Sequence, residues 1–204
     1  MTAPPRTWVS FFPDAGIAPW QAATRVSVDR YRVEAISTLC GVPPSGIELG
    51  ASMVRVESEH ELPPRASELV GVTQHLAYTH AAERRELTGI SAAESGPVAV
   101  LIPIAKSDAW WALAQDERDA LFRGKREHPG HLTVGRSYAA RVYRKLYHAR
   151  HVPGSTWDFL TYFEFPRERA DDFRALLVQL RDPETNPEWA FVERETEIWL
   201  EKQF

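Results

Sequence analysis

One stretch decides the fold class of this 204-residue chain: VAVLIPIAKSDAWWALAQDERDALF, residues 98–122. It opens with a continuous apolar run, Val98 to Ile104, bounded by Gly96-Pro97 and Lys106-Ser107, which is typical of a buried strand. From Asp108 to Arg126 most apolar side chains follow helical spacing instead. The stretch therefore predicts a buried strand that leads directly into a helix.

Downstream of this stretch the same two periodicities alternate. Four further elements are expected: a short helix over Gly135–Val142, strands over 144–149 and 157–165, and a helix over Arg167–Arg181. The chain ends in a strand over Val192–Leu200, where Glu193, Glu195 and Glu197 alternate with apolar residues and predict one wet face. The second half thus has the order β, α, α, β, β, α, β, an α+β pattern with helices on one face of a sheet.

The first half gives weaker signals. Strands are predicted over Thr7–Phe12, around Val54 and Val56, and over Leu69–Tyr78. Helical pieces are predicted over Trp20–Leu39 and Ala81–Leu87.

Composition excludes several classes of protein. With 44% hydrophobic and 25% charged residues and a net charge of −4, the chain has the profile of an ordinary globular protein. We expect neither a nucleic-acid partner nor a membrane partner. Cys40, at the apolar end of the predicted Trp20–Leu39 helix, is the only cysteine, so no intrachain disulfide can form. No 18-residue apolar stretch and no signal-like N-terminus is present, and a cytoplasmic location is the expectation.

The seven histidines include two pairs of identical spacing, His128-x-x-His131 and His148-x-x-His151. Imidazoles three residues apart share a helix face, so a four-histidine zinc site is one interpretation. His151 precedes Val152-Pro153-Gly154, where a turn is favoured over a helix. Histidines at the surface are the other interpretation.

Several motifs in the right order resemble the chlorite dismutase family. They are the stretch Leu101–Ser107 with Trp110-Trp111, Asp116-Glu117-Arg118 and Phe122, then Arg144–His148, Asp158–Glu164, Glu188-Trp189 and Val192–Glu195. Upstream, Gly71–His75 and Tyr78 also match. The resemblance covers residues 68–204 well and the first 67 residues poorly.

The resemblance implies a ferredoxin-like dimeric α+β barrel with two similar halves per subunit. Residues 1–97 would form a shortened N-terminal half without haem, and residues 98–204 would form the C-terminal half that binds haem b. Short N-terminal halves are found in the dimeric members, so a homodimer is expected.

The resemblance also assigns the iron ligand and the residue above the opposite haem face. The family spacing between them is matched by His131 and Arg144, since 144 − 131 = 13. His128 lacks a partner at that spacing within the motif. The segment before His131 carries about three residues more than the family pattern. An arginine above an open iron position can hold an oxyanion through charge-assisted hydrogen bonds.

Four further residues match haem-site positions of the family. Glu188 matches the acceptor for the second nitrogen of the ligating imidazole, and Lys106 matches the lysine that pairs with this acceptor. Trp110 and Trp111 match a pair of indoles beside the haem. Without the resemblance, Glu188 and Lys106 could be solvated side chains, and the tryptophans could be core.

The function implied is the haem b-dependent conversion of chlorite, a small anion, to chloride and dioxygen, with Arg144 as the catalytic residue and His131 as the ligand of the iron. The alternatives are a haem peroxidase or haem sensor of the same fold, and a metal-binding module without turnover.

Overall fold

A computed structural model describes residues 7–14, 26–60, 69–73, 93, 95–125 and 128–204. Within these ranges eight antiparallel strands close into a barrel in the order β1-β3-β2-β8-β5-β7-β6-β4, and β1 completes the circle by pairing with β4. The strands are β1 Trp8–Pro13, β2 Val26–Cys40, β3 Ser52–Ser58, β4 Leu69–Val72, β5 Val98–Lys106, β6 Tyr143–His148, β7 Phe159–Phe165 and β8 Val192–Gln203. Mixed helix and sheet confirm the α+β class.

Four α-helices lie in the second half of the chain within the described ranges. They are α1 Asp108–Ala112, α2 Gln115–Arg123, α3 Gly130–Tyr138 and α4 Ala170–Leu180, and two 3₁₀ turns cover Arg167–Arg169 and Pro187–Phe191. The predicted Asp108–Arg126 helix is interrupted because Leu113 and Ala114 are extended. The Ala114 amide donates to the Glu117 carboxylate at 2.7 Å, which begins a new helix.

The barrel interior and the helix-covered part of its outer face form two separate apolar clusters. Strand side chains alternate between the two faces, so Leu160 and Tyr162 of β7 point inward while Phe163 and Phe165 point outward. The outward cluster packs against α3 and α4 through residues such as Phe173. The four helices of the described ranges therefore cover the outer face of the β5-β7-β6 part of the barrel.

Strand register places three rows of side chains on that outer face. Leu146 of β6 pairs with Thr161 of β7, which pairs with Ile102 of β5. The neighbouring row on one side is His148, Phe159 and Ile104, and the row on the other side is Arg144, Phe163 and Val100. Arg144 therefore stands on the helix-covered face, among apolar neighbours.

The helical prediction for Trp20–Leu39 is wrong over residues 26–39, which belong to strand β2; residues 20–25 lie outside the described ranges. Tyr31 and Val33 are buried in the barrel while Arg30, Arg32 and Glu34 face outward, an alternation of period two. The segment forms a strand because pairing with β3 on one side and β8 on the other provides hydrogen-bond partners for its backbone N–H and C=O groups. Cys40 accordingly ends a strand and not a helix.

The other predicted elements are mostly confirmed with shifted ends. The helix expected over Gly135–Val142 runs over Gly130–Tyr138, and the strand expected over Leu69–Tyr78 ends at Val72. Residues 74–78 and the predicted helix Ala81–Leu87 lie outside the described ranges. The division into similar halves at residue 97 stays a prediction. None of the helices in the described part of the chain is long and apolar enough to cross a membrane.

Candidate functional site

A large cleft lies between the outer face of the barrel and the helices. It encloses about 1110 Å³ of space free of protein atoms, including its open mouth. Apolar side chains of β5, β6 and β7, such as Ile102, Leu146 and Phe159, line one side. All six residues singled out from the sequence line it as well: Lys106, Trp110, Trp111, His131, Arg144 and Glu188.

His131 is fixed by the tight loop that begins helix α3. Gly130 has a φ of 72°, and its amide donates to the Thr185 carbonyl at 2.9 Å. A Cβ atom on Gly130 would lie 2.5 Å from the amide nitrogen of Gly124, so this position requires glycine. The loop thereby delivers His131 into the cleft, where its ring stacks on Phe122 with 5.0 Å between centroids.

The two ring nitrogens of His131 have different surroundings. Nδ1 lies 3.2 Å from Oε2 of Glu188, a hydrogen-bonding distance with poor angles. Nε2 is buried and has no hydrogen-bond partner among the described residues. Burial and the charge of Arg144 lower the pKa of His131, so the ring is neutral near pH 7. A neutral imidazole with a free Nε2 is the form that binds a metal ion.

Glu188 connects His131 to Lys106. Lys106 Nζ lies 2.9 Å from Oε1 of Glu188 and donates to the Glu188 carbonyl at 3.2 Å. Burial would raise the pKa of Glu188, but the ammonium of Lys106 and then the ring of His131 outweigh it, so the pKa lies below its ordinary value. Glu188 is therefore ionised, and its carboxylate can accept the Nδ1 proton of His131.

The two tryptophans hold different positions beside the cleft. Trp110 is buried, with Lys106 Nζ 4.8 Å from its ring centroid and Phe191 packed at 5.5 Å. The Trp111 indole donates from Nε1 to Asp158 at 3.3 Å and stacks on Phe159 at 6.1 Å between centroids. Both indoles are therefore held in fixed orientations next to the cleft.

Arg144 is a cation without a counter-ion in the described part of the chain. Its Nε atom is buried without a hydrogen-bond partner, and no Asp or Glu among the described residues forms an ion pair with it. Burial lowers the pKa of Arg144 while the charge of Glu188 opposes this, yet a guanidinium remains protonated at neutral pH. An unpaired buried cation is costly, and a bound anion would offset that cost.

The four paired histidines do not converge. The ring of His128 is directed at the Glu184 carbonyl outside the cleft, and His151 is exposed in a turn. His148 lines the cleft, and burial lowers its pKa to about 4. Among the described residues no group of three or more His, Cys, Asp or Glu side chains is arranged to hold a metal ion. The geometry thus favours His131 over His128 and does not support a four-histidine zinc site.

The prediction of a wet face on β8 holds at Glu193, which is exposed, and is wrong at the other two glutamates. Glu195 and Glu197 are buried, since Arg181 at the end of α4 forms ion pairs with both carboxylates, at 2.5 Å for Glu197. This cluster lines the cleft through Arg181 and Glu195. Sequence reasoning also missed Phe122 as the stacking partner of His131, although the residue lies in one of the matched motifs.

Comparison with solved structures decides the family. A dimeric chlorite dismutase from Nitrobacter winogradskyi superposes with a TM-score of 0.69 and 29% identity, over 96% of this chain and 99% of that chain. The chain belongs to the chlorite dismutase family.

More distant members of the chlorite dismutase family share the fold. An enzyme from Candidatus Nitrospira defluvii, solved in complex with imidazole, is 23% identical with a TM-score of 0.63, over 98% of this chain and 90% of that chain. A mutant of that enzyme in complex with cyanide is 22% identical with a TM-score of 0.64 over the same shares. No family model matches the chain, and no curated protein matches it.

Proposed function

We propose that the chain binds haem b through His131 and converts chlorite to chloride and dioxygen. One observation carries the proposal: the same apolar cleft contains an imidazole whose Nε2 and an arginine whose charge have no partner among the residues that the structure describes. The first is the ligand a haem iron needs, and the second is the cation an anionic substrate needs.

The donor set and the cleft fit a haem. Haem iron requires one protein ligand because the porphyrin supplies four, so a single free imidazole is sufficient. The mostly apolar lining suits the faces of a macrocycle, and Trp110 and Trp111 belong to that lining. Glu188 would accept from Nδ1 of His131 and fix the tautomer that leaves Nε2 free, while Lys106 keeps Glu188 ionised.

Bound haem would supply an iron with an open coordination position at which a chlorine–oxygen bond of chlorite can be broken. Arg144 would bind the anion by charge-assisted hydrogen bonds from a planar fork of donors. The reaction ClO₂⁻ → Cl⁻ + O₂ keeps one negative charge in the cleft from substrate to product, so one fixed cation serves the whole reaction. The apolar neighbours of Arg144 strengthen this attraction by excluding water.

A homodimer is proposed as well. The support is the Nitrobacter winogradskyi structure, which is described as dimeric and matches over nearly its whole length.

Haemin titration followed by chlorite addition tests the proposed function. We expect one haem per chain with a ferric Soret band, loss or weakening of that band in His131→Ala, and an unchanged band in His128→Ala, the matched control three residues away. Oxygen evolution from chlorite by the loaded chain then separates chlorite conversion from a peroxidase that turns over only with peroxide and reductant, and from a sensor or metal module without turnover. A chain that binds haem but evolves no oxygen would refute the activity.

A further inference from the structure

Trp111 is the aromatic residue at the cleft with the most cationic surroundings. The Cζ atom of Arg150 lies 3.8 Å from the centroid of the indole ring, and that of Arg118 lies 5.5 Å away. Arg150 follows β6, Arg118 lies in α2, and both Trp111 and Arg118 line the cleft. Two separate parts of the chain thus place positive charge against one ring.

Asp158 completes the arrangement and opposes part of this charge. Its Oδ2 accepts from Trp111 Nε1 at 3.3 Å and from the Lys106 amide at 2.7 Å, while its Oδ1 forms an ion pair with Arg150 at 2.9 Å. The groups in contact with the indole therefore carry two positive charges and one negative charge. The net charge of these contacting groups is therefore positive.

We propose that Arg150, with Arg118, protects Trp111 from one-electron oxidation. In that oxidation an indole gives one electron to an oxidant, which is reduced by one electron, and the ring becomes a radical cation that can release its Nε1 proton. Asp158 already accepts a hydrogen bond from Nε1 and could take up this proton, so its negative charge opposes part of the protection. The guanidinium at 3.8 Å repels the new positive charge on the ring directly.

The need for such protection rests on the proposed function. Chlorite would bind in the cleft and hypochlorite-class oxidants derived from it would form there, beside an indole, and an electron given by Trp111 to such an oxidant would consume an oxidising equivalent that the reaction needs. The positive charges of Arg150 and Arg118 disfavour this electron loss, so the oxidant is consumed by the reaction and not by the protein. Arg150 is thus a positioning residue that acts through Trp111, outside direct contact with the reacting anion.

Oxidation of the haem-free full chain by azide radicals tests the effect of charge. The radical takes one electron from tryptophan, and peptide mass spectrometry reports what share of the oxidised product lies on each of the seven tryptophans. Arg150→Met keeps a long side chain over the ring but removes the charge, so the ratio of product on Trp111 to product on the other tryptophans should rise by roughly tenfold, after allowance for solvent exposure and for Asp158. Arg150→Lys keeps the charge and should stay close to the wild-type share.

A matched control comes from another guanidinium in the same chain. Arg174 lies 5.3 Å from the ring centroid of Trp199, away from the cleft, so Arg174→Met should leave the product on Trp111 unchanged relative to the tryptophans other than Trp199. An unchanged share in Arg150→Met would overturn the proposal. An equal rise in Arg150→Met and Arg150→Lys would also overturn it, because coverage by the planar group and not charge would then protect the ring.

The azide measurement requires neither haem nor chlorite. A negative result there refutes the role of Arg150 and leaves the haem assignment standing. A haem-loaded chain that evolves no oxygen refutes the proposed function, whatever the azide result.

Discussion

Removing the charge of Glu188 should destabilise the protein strongly, even without haem. The side chains of Lys106 and Glu188 are 4% and 11% exposed and lie 2.9 Å apart. Glu188→Gln leaves the Lys106 ammonium buried without a carboxylate, and breaking a buried pair from one side costs about 3–5 kcal/mol. For a chain of this size each kcal/mol corresponds to about 2–4 °C, so the melting temperature should fall by roughly 6–20 °C.

Thermal unfolding of the haem-free variants measures this cost. The double variant Lys106→Met/Glu188→Gln removes both charges and should be less destabilised than the sum of its single changes, because no uncompensated charge remains. Asp171→Asn breaks an exposed pair with Arg174 and should change the stability by less than about 0.5 kcal/mol. A loss below about 1 kcal/mol in Glu188→Gln, or additive costs in the double variant, would refute the reasoning.

Two further predictions concern the walls of the cleft. Arg181→Ala leaves the Glu195 carboxylate buried without its cation, which should lower the free energy of unfolding by about 3–5 kcal/mol at pH 8. Burial already raises the pKa of Glu195, so the folded variant takes up a proton there more readily than the unfolded chain. The loss of stability should therefore shrink as the pH falls. Urea unfolding at pH 5 and pH 8 measures it, and a loss independent of pH would contradict it. Gly130→Ala should lower the melting temperature and weaken haem binding because its Cβ meets Gly124, whereas Gly46→Ala, with the same φ of 72° and nothing within 4 Å, should cost only about 1–2 kcal/mol of backbone strain. Equal effects of the two alanines in melting and haemin titration would contradict the packing argument.

The second half of the fold could be predicted because its signals are local. The apolar run at Val98 and the i, i+3, i+4, i+7 spacing of Phe173, Leu176, Leu177 and Leu180 need no distant partner to be recognised. Strand β2 could not be assigned in this way. Its mixture of charged and apolar residues is compatible with both periodicities, and the choice depends on pairing with β8, which lies more than 150 residues away.

The candidate site was predictable only in part for a similar reason. The motifs supplied Lys106, His131, Arg144 and Glu188, and the structure brings these four into one cleft. The burial of Glu195 was not predictable, because alternating glutamates on a strand are typical of a solvated face. Only the approach of Arg181 from a different element makes that face an interior one.

The central claim is that Arg144 holds chlorite and the anions derived from it during conversion at a haem bound by His131. The most direct test measures oxygen evolution in parallel with a hypochlorite trap for the haem-loaded wild type, Arg144→Lys and Arg144→Ala. Loss of one charge-assisted hydrogen bond is worth about 1.5–3 kcal/mol, so Arg144→Ala should lower kcat/KM for chlorite by roughly 10- to 150-fold and release trapped hypochlorite, with Arg144→Lys between the two. Wild-type oxygen evolution by Arg144→Ala without additional trapped hypochlorite would contradict the account.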